Sequence, residues 1–584
     1  MTELSRRSFL AASAATAGVA ALAGTAVASA DEAAAEEGPV TAASDPQNGT
    51  LDAGYLSYFD WLGCAPALTP ADAANTVTAD VVVVGGGNSG ICAALAAAEA
   101  GATVAVVEQQ DQEAYTFLGH DIGTVNCQHV ISLGGQEIDE IEFVQDWTKR
   151  NMNRSNPGLV RKFAATSGAS LDWILSHLTS DIVENAGVFG VPLPTAYPGE
   201  ISGFKCWSAA LHFQATEDGA TDWPDAAKQL EAAAEALGAT WHFGQTAQVL
   251  VKDGNKVTGV IATDADGNAT YFEANKGVII AAGDYVGNPA MVFGLNDEYR
   301  NFVEDRGLDW TQIRGMGRTG DGQKMVCWAG GRMEPGPHAS MGRAMGAGAF
   351  GGVALPQFNR NGKRFQNEGI LGVWGNMYQV YRQPKGTIFA IADANWRDYV
   401  QKNAPEHVYP GTGGFHDGGF LDVLDAELPN VAGTGAEGYK IRGCLTYCAD
   451  TLEELADNLG LSPEVKETFL AEVARYNELC EAGVDDDFGK DAFLMDPIAT
   501  PPFYASVVMD SNDFKLGLVE LGGVVTDANQ QVLDRDDNPI EGLYATGNCC
   551  GGRFIAQYHT PIAGISIGWA TSMGKLAGET VAAL

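Results

Sequence analysis

A strand and a glycine-rich turn follow one another in Asp80-Val81-Val82-Val83-Val84-Gly85-Gly86-Gly87-Asn88-Ser89-Gly90. The run of valines is apolar on both faces, which is typical of a strand buried inside a parallel sheet. The spacing Gly85-x-Gly87-x-x-Gly90 supplies one glycine for a tight turn, one for close approach of a pyrophosphate, and one for packing of a helix on the strand. The stretch therefore predicts the start of a dinucleotide-binding α/β domain.

The residues that follow continue this pattern. An alanine-rich helix is expected over Ile91 to Ala100, and Gly101 ends it. Thr103 to Val107 then predicts a second buried strand, and Glu108 at its end can accept hydrogen bonds from both ribose hydroxyls. This order of elements predicts adenine-dinucleotide binding, and the alternative is a tight turn that holds no ligand.

Three later segments predict more strands. Thr246 to Ile261 alternates around an Asp-Gly-Asn turn, which indicates a hairpin. An apolar strand, Gly277-Val278-Ile279-Ile280, runs into Ala281-Ala282-Gly283-Asp284, and Gly542-Leu543-Tyr544-Ala545-Thr546-Gly547-Asn548 is another strand with a glycine turn at its end. Both strands end in a glycine turn, so Gly283 and Gly547 are candidate cofactor contacts.

These elements resemble the large flavoprotein family that contains soluble fumarate reductases, urocanate reductases and 3-ketosteroid dehydrogenases. The resemblance runs from about residue 78 and is also carried by Thr319-Gly320-Asp321-Gly322, by the stretch Asn359 to Glu368 (NRNGKRFQNE), and by Gly542 to Asn548. The fold class that it implies is α/β, with a Rossmann-like FAD-binding domain and an inserted α+β capping domain. In the family, the flavin ring of FAD faces this cap.

An export signal is predicted at the start of the chain. Ser5-Arg6-Arg7-Ser8-Phe9-Leu10 precedes a run of small residues that ends at Ala28-Ser29-Ala30, as in a twin-arginine signal cleaved after Ala30. The alternative is a transmembrane helix from Phe9 to Ala30, but its alanines and glycines are only weakly apolar. We therefore expect an extracytoplasmic protein, in the periplasm or at the cell surface, without stable membrane insertion after signal removal.

The expected division of the chain combines this signal with the family resemblance. In chain order, the segments are the signal peptide, a linker, the first part of the FAD-binding domain, the capping domain and the second part of the FAD-binding domain: residues 1–30, 31–75, 76–330, 331–504 and 505–584.

The resemblance also implies the cofactor contacts. Its pyrophosphate, ribose and ribityl contacts fall on Gly85, Gly87, Ser89, Gly90, Glu108, Asp321 and Asn548. Backbone N–H groups near Ser566 and Ile567, at the start of the last helix, are expected to face the flavin pyrimidine carbonyl. Asn548 replaces the glutamate usual in fumarate reductases and matches the ketosteroid branch. His120 resembles the covalent flavin histidine of succinate dehydrogenases in position only, so FAD is expected to be non-covalent.

The composition limits the possible partners. The 584 residues include 35 Lys+Arg and 74 Asp+Glu, for a formal net charge of −39, which would repel nucleic acid. The acidity predicts a solubilising surface, and attraction of a basic redox partner is the alternative. The ten cysteines show neither metal-ribbon spacing nor a Cys-x-x-Cys-His haem motif, so no metal site is predicted and any haem belongs to another protein.

The substrate side departs from the fumarate reductases. Their proton-donating arginine is missing from Gly369 to Trp374, their histidine is missing from Leu516 to Gly523, and their Asn-Arg carboxylate clamp is replaced by Gln557-Tyr558. A dicarboxylate would lose charged hydrogen bonds that contribute about 1.5–3 kcal/mol each. The pattern therefore argues against fumarate.

Four catalytic candidates remain. Tyr558 falls near the tyrosine that contacts the substrate ketone in ketosteroid dehydrogenases, and His559 beside it can tune the phenol. His338 corresponds to a substrate histidine of fumarate reductases, and Arg343 lies close to it in the chain. Each can instead be a buried, hydrogen-bonded structural residue. A further aromatic group is predicted to pack in the core, with a substrate platform as the alternative: Trp374, Tyr378 and Tyr381.

Three functions fit these observations. The first is an exported reductase that transfers hydride from flavin N5 to the activated C=C bond of an enone, an aryl-acrylate or a steroid-like molecule, as in anaerobic respiration. A membrane or cytochrome redox protein would supply its electrons. The second is a 3-ketosteroid-type dehydrogenase that works in the oxidative direction. The third, of another class, is a flavin-containing protein that binds a ligand without turnover.

Overall fold

The computed structural model describes part of the 584-residue chain. The described residues are 61–117, 119–189, 199–214, 222–311, 317–341, 346–370, 379–380, 382–402, 419–510, 519–554 and 557–584. The predicted signal peptide and most of the predicted linker lie outside them. Among the helices in these ranges, none combines the length and the apolar character that crossing a bilayer requires.

An eight-stranded sheet forms the centre of the nucleotide-binding part. Its strands are β1 (Asn75–Val84), β2 (Val104–Val107), β8 (Thr240–His242), β9 (Thr246–Asp253), β10 (Lys256–Thr263), β11 (Ala269–Ile280), β19 (Gln531–Leu533) and β20 (Pro539–Ala545). Five of them are parallel in the order β20-β11-β1-β2-β8. Their carboxyl ends therefore meet at one edge, where α/β sheets bind ligands.

The predicted hairpin corresponds to β9 and β10, which pair antiparallel. The predicted strand from Gly277 is the end of the longer β11, whose first half pairs with β10 and whose second half pairs with β20. Pairing with β10 thus makes β11 longer than its apolar run alone predicts. The predicted α/β fold class is confirmed.

Two helices from opposite ends of the chain pack closely on this sheet. They are α1 (Asn88–Glu99) and α14 (Ile565–Ala582). A side chain at Gly574 would overlap the carbonyl oxygen of Ser89, and one at Gly578 would overlap that of Ala93. The glycines therefore allow backbone-to-backbone contact between the first and the last helix of the sheet.

A second, antiparallel sheet lies between residues 357 and 510, in the order β13-β14-β17-β16-β15. Its strands are β13 (Gln357–Phe358), β14 (Thr387–Ala392), β15 (Tyr439–Ile441), β16 (Cys444–Ala449) and β17 (Phe503–Asp510). Phe358 and Phe389 pack against Phe469 of a helix that covers this sheet. The predicted boundaries of the capping domain stay predictions.

The stretch around Arg364 has a structural role. The buried Arg364 guanidinium donates to Glu368 at 2.9 Å and to Asp485 at 2.7 Å. This ion pair joins the loop after β13 to the segment that follows the helix Pro463–Ala482. Burying any of these charges without a partner of opposite sign would destabilise the fold.

The other strands are short: β3 (Asp121–Gly123), β4 (Gly187–Phe189), β5 (Glu200–Ile201), β6 (Phe204–Lys205), β7 (Ala210–His212), β12 (Ser340–Met341) and β18 (Val519–Glu520). The other α-helices of the described residues are α2 (Gln128–Ser132), α3 (Glu140–Arg150), α4 (Pro157–Ser176), α5 (Ser180–Asn185), α6 (Trp223–Ala236), α7 (Pro289–Leu295), α8 (Asp297–Arg306), α9 (Asp321–Trp328), α10 (Trp396–Gln401), α11 (Gly419–Glu427), α12 (Leu452–Asn458) and α13 (Pro463–Ala482).

Candidate cofactor and substrate site

The three glycines of the turn after β1 have three different surroundings. Gly85 has φ +96°, and a Cβ there would lie 2.7 Å from the Ala281 carbonyl oxygen. A Cβ at Gly90 would overlap the carbonyl oxygen of Gly85, whereas a Cβ at Gly87 would meet nothing within 4 Å. The first and third glycines are thus required by the fold itself. The open space at Gly87 suits the approach of a pyrophosphate.

Glu108 lies at the end of β2 with its carboxylate buried beside this turn. One carboxylate oxygen accepts from the Gly86 N–H at 2.7 Å, and the other accepts from the Gln110 N–H at 2.8 Å. These bonds hold the side chain in one position. Each oxygen can accept a second hydrogen bond, so the carboxylate retains capacity for the ribose.

The ends of β11 and β20 bring further predicted contacts to the same edge. Gly283, with φ +82°, accepts from the Gln323 side chain at 2.9 Å. Asn548 donates to the buried Asp284 at 3.5 Å, and Gly547 lies directly against Ser89. Predicted contacts from β1, α1, β11 and β20 therefore adjoin one another.

The remaining predicted contacts are at helix starts. Asp321 is the first residue of α9 and accepts from the Thr319 hydroxyl. Ser566 and Ile567 lie in the first turn of α14, which no side chain caps, and both are partly exposed. Backbone N–H groups at such a start favour a partial negative charge.

A His–Asp–His cluster, with Asp121 and His212 buried and His120 half-buried, lies beside the start of α14. Asp121 of β3 is hydrogen-bonded to His212 of β7 at 2.7 Å and lies 2.9 Å from Nδ1 of His120. A Cβ at Gly564 would lie 2.5 Å from the Asp121 carbonyl oxygen. Burial raises the pKa of Asp121, but the two histidines outweigh it and leave that pKa below its ordinary value.

Each of these three residues offers one possible metal ligand, all within 4.8 Å of one another. The sequence predicted no metal site, because positions 120 and 212 are far apart in the chain and follow no ligand spacing. The pairing of β3 with β7 brings them together. Hydrogen bonding to Asp121 already accounts for the arrangement without an ion.

Tyr558 and His559 are both buried. The Tyr558 ring lies edge-on to Phe554 with centroids 5.0 Å apart, and the His559 ring lies edge-on to Phe204 at 4.6 Å. Burial, with a smaller contribution from the Arg150 charge, lowers the pKa of His559 well below its ordinary value. This imidazole is therefore neutral at neutral pH.

His338 is buried and has partners for both ring nitrogens. Its Nε2 lies 2.9 Å from the Glu334 carbonyl oxygen, and its Nδ1 lies 3.0 Å from the Tyr285 hydroxyl. Because a carbonyl oxygen only accepts, Nε2 carries the proton and Nδ1 accepts from Tyr285. Burial lowers the pKa of His338, which favours this neutral form.

The fourth catalytic candidate, Arg343, lies outside the described residues, as do the three aromatic residues Trp374, Tyr378 and Tyr381. Their predicted roles therefore stay predictions. Of the predicted catalytic residues, Tyr558 and His559 adjoin each other in the chain, and His338 lies with Tyr285.

The sequence analysis missed a buried arginine, Arg553. Its side chain is fully buried, and its NH1 donates to Oδ1 of Asn548 at 2.8 Å. Its Nε and NH2 have no hydrogen-bond partner among the described residues. Its signal in the sequence is a single arginine within the run of small and apolar residues from Cys549 to Ile555, at a position that matches none of the family arginines.

Two buried carboxyls were also missed. Burial raises the pKa of Glu334 to about 7 and that of Glu520 to about 8. Glu334 accepts from the Gly523 N–H at 2.9 Å and the Gly552 N–H at 2.7 Å. Glu520 accepts from the Ser340 hydroxyl and from Asn296. Neither residue belongs to a recognisable motif.

The parallel strand order, the glycine turn and the contacts aligned along one sheet edge define a dinucleotide-binding protein of the flavoprotein class. A family model described as an FAD binding domain matches residues 80–565. The chain belongs to this family. The open cradle at Gly87 and the fixed carboxylate of Glu108 fit FAD, which is the cofactor.

Known relatives cover most of the chain. The digoxin reductase of Eggerthella lenta is 27% identical over 574 residues, which cover 89% of this chain and 90% of that protein. The vinyl phenol reductase of Lactiplantibacillus plantarum is 26% identical, with 86% and 96% covered.

A solved structure of 3-ketosteroid-Δ4-(5α)-dehydrogenase from Rhodococcus jostii RHA1 has a TM-score of 0.62 at 20% identity, with 89% of this chain and 99% of that chain covered, and it shares the fold. The family expected from the sequence is thus confirmed. The chain is an FAD-dependent oxidoreductase that acts on CH–CH groups. This favours catalysis over the ligand-binding alternative.

Proposed function

We propose that the protein reduces an activated C=C bond in an enone, an aryl-acrylate or a steroid-like acceptor rather than in fumarate. The proposal rests on the burial and the lack of charge of the substrate-side candidates that the structure describes. Tyr558, His559 and His338 are buried, and burial holds both imidazoles in the neutral form. A bound dicarboxylate requires several cations around it, so these neutral groups suit a less charged acceptor.

The chain's own residues would hold the cofactor and move the proton. Gly87, Glu108 and Asn548 would bind FAD, which, when bound, supplies the hydride. The Tyr558 hydroxyl would donate a proton to the alkene carbon next to the electron-withdrawing group. When the product leaves, the phenolate would regain its proton from solvent through His559, whose ring can give a proton at one nitrogen while it takes one up at the other. The burial of both side chains excludes bulk water from this transfer.

The location and the electron donor are part of the same proposal. The twin-arginine pattern at residues 5–10 supports export of the folded, FAD-loaded protein. Nicotinamide cofactors are scarce outside the cytoplasm, so a membrane or cytochrome redox protein would deliver the electrons. The net charge of −39 supports a basic partner.

The test is an anaerobic reoxidation assay. The flavin of the purified holoenzyme is reduced chemically, and fumarate, urocanate, cinnamates and 3-keto-4-ene steroids are added in turn while the visible flavin absorbance is followed. Rapid reoxidation by a cinnamate or a steroid enone is the expected result. Reoxidation by fumarate alone would overturn the proposal. Reduction of the oxidised flavin by saturated ketosteroids, with no alkene reduced, would instead indicate the dehydrogenase.

A further inference from the structure

Arg553 carries a buried positive charge that the described protein residues do not neutralise. Its guanidinium is fully buried, and no carboxylate oxygen of the described chain forms a salt bridge with it within 4.0 Å. One amide oxygen, that of Asn548, accepts from NH1, while Nε and NH2 have no partner there. A buried charge and two unsatisfied donor groups are costly unless a bound molecule completes them.

The surroundings of Arg553 place this charge between the predicted cofactor contacts and the predicted substrate side. Asn548 is a predicted FAD contact at the end of β20. The guanidinium interacts electrostatically with Glu334, Asp284 and Tyr558. A molecule that reaches the Tyr558 hydroxyl would therefore lie within electrostatic range of the Arg553 charge.

The other charged groups of this region nearly cancel. Asp284 is paired with Arg318 at 2.8 Å. Burial favours the protonated forms of Glu520 and, to a smaller extent, Glu334. His338 is neutral, as described above. Arg553 is the cation of this region that has no carboxylate within salt-bridge distance among the described residues, which suits a ligand with a single negative charge.

We propose that Arg553 binds the carboxylate of a mono-anionic acrylate, and that it thereby selects aryl-acrylates over neutral enones and over dicarboxylates. This inference rests on the proposed reduction of an activated alkene and narrows its substrate class. The planar guanidinium presents donors in a fork that fits a carboxylate. In this position it also draws electron density from the C=C bond, because the carboxylate oxygens gain charge during reduction.

The experiment compares a carboxylate with a neutral ketone of similar shape. Binding of cinnamate, fumarate and 4-phenylbut-3-en-2-one to the oxidised holoenzyme is measured by perturbation of the flavin spectrum, for wild type, Arg553→Gln and Arg553→Lys. The control is Arg475→Gln, which removes an arginine from the exposed surface of α13. The flavin midpoint potential of each variant is measured in parallel.

The expected result is that Arg553→Gln weakens cinnamate binding by about ten- to hundredfold. Binding of the neutral ketone and the flavin potential should stay near the wild-type values, Arg553→Lys should recover part of the affinity, and Arg475→Gln should have no effect. If Arg553→Gln does not retain FAD, tighter wild-type binding of cinnamate than of cinnamamide, with partial retention by Arg553→Lys, supports the inference.

Three outcomes would overturn it. The first is unchanged selectivity for cinnamate in Arg553→Gln together with a shifted flavin potential, which would assign Arg553 to the flavin. The second is reoxidation by neutral enones with no binding of any monocarboxylate, which would leave the proposed function intact. The third is binding of fumarate as tight as that of cinnamate. Failure of the proposed function looks different, because then no alkene reoxidises the flavin, whereas cinnamate binding to the oxidised protein still tests Arg553.

Discussion

Replacing Gly87 by alanine should weaken FAD binding while leaving the folded apoprotein nearly as stable as before. The backbone at Gly87 has φ −66° and ψ −170°, which alanine adopts without strain. The added methyl would meet no atom of the chain within 4 Å. Gly87 is the N-cap of α1, and an alanine cap costs at most about 1 kcal/mol. The methyl would instead occupy the space left for the pyrophosphate.

Gly90→Ala is the matched comparison, because the same methyl there would overlap the Gly85 carbonyl oxygen. Overpacking of this kind costs about 1–3 kcal/mol of stability, with or without cofactor. For Gly87→Ala, loss of one charge-assisted hydrogen bond to the pyrophosphate, at about 1.5–3 kcal/mol, corresponds to about ten- to hundredfold weaker FAD binding.

The two effects separate in two assays. Urea unfolding of each apoprotein gives the stability, and titration with FAD, followed by quenching of flavin fluorescence, gives the affinity. Gly87→Ala should lose affinity and Gly90→Ala should lose stability. Wild-type FAD affinity in Gly87→Ala would refute the reasoning, because the pyrophosphate would then not approach this glycine.

Three further predictions concern buried polar groups. Tyr558→Phe should slow alkene reduction by about 10²–10⁴-fold without slowing flavin reduction by dithionite, as measured by stopped-flow absorbance; equal slowing of both steps would contradict a proton-donor role. Burial raises the pKa of Glu520 from an ordinary 4.5 to about 8. Between these two pH values the folded protein binds a proton at Glu520 that the unfolded chain lacks. The free energy of unfolding should therefore fall as pH rises from 4.5 to 8, by on the order of a few kcal/mol. Urea unfolding at pH 5 and pH 8 should show Glu520→Gln to be less pH-dependent than wild type, and an identical slope would exclude this residue as the cause. Arg364→Met should cost about 3–5 kcal/mol, as measured by urea unfolding, because it leaves Asp485 buried without its cation and leaves Glu368 with Lys490 alone. A loss below about 1 kcal/mol would show that water replaces the ion pair.

The nucleotide-binding half of the fold was predictable because its signals are local. The strand, turn and helix around Gly85 to Gly90 lie within a few residues of one another, and the residues of each segment are enough to predict it. The full length of β11 was not predictable, since its first half is stabilised by pairing with β10 rather than by its own apolar pattern.

The substrate side was less predictable because its groups depend on tertiary contacts. Asp121 and His212 become neighbours only through the pairing of β3 with β7. Arg553 looks ordinary in the sequence, and only its burial and its unmatched donors distinguish it. For His338 the sequence identified the residue, but the partners Tyr285 and Glu334, which fix its tautomer, come from the fold.

The close packing of α1 against α14 has a consequence for biosynthesis. Gly574 and Gly578 hold the last helix against a helix that follows the first strand of the sheet, and that last helix also contributes predicted flavin contacts. A ribosome must therefore release almost the entire polypeptide before the cofactor cradle is complete. A nascent chain would lack part of the predicted cradle, so we expect FAD to bind only after synthesis is nearly complete, which agrees with the proposed export of a folded protein.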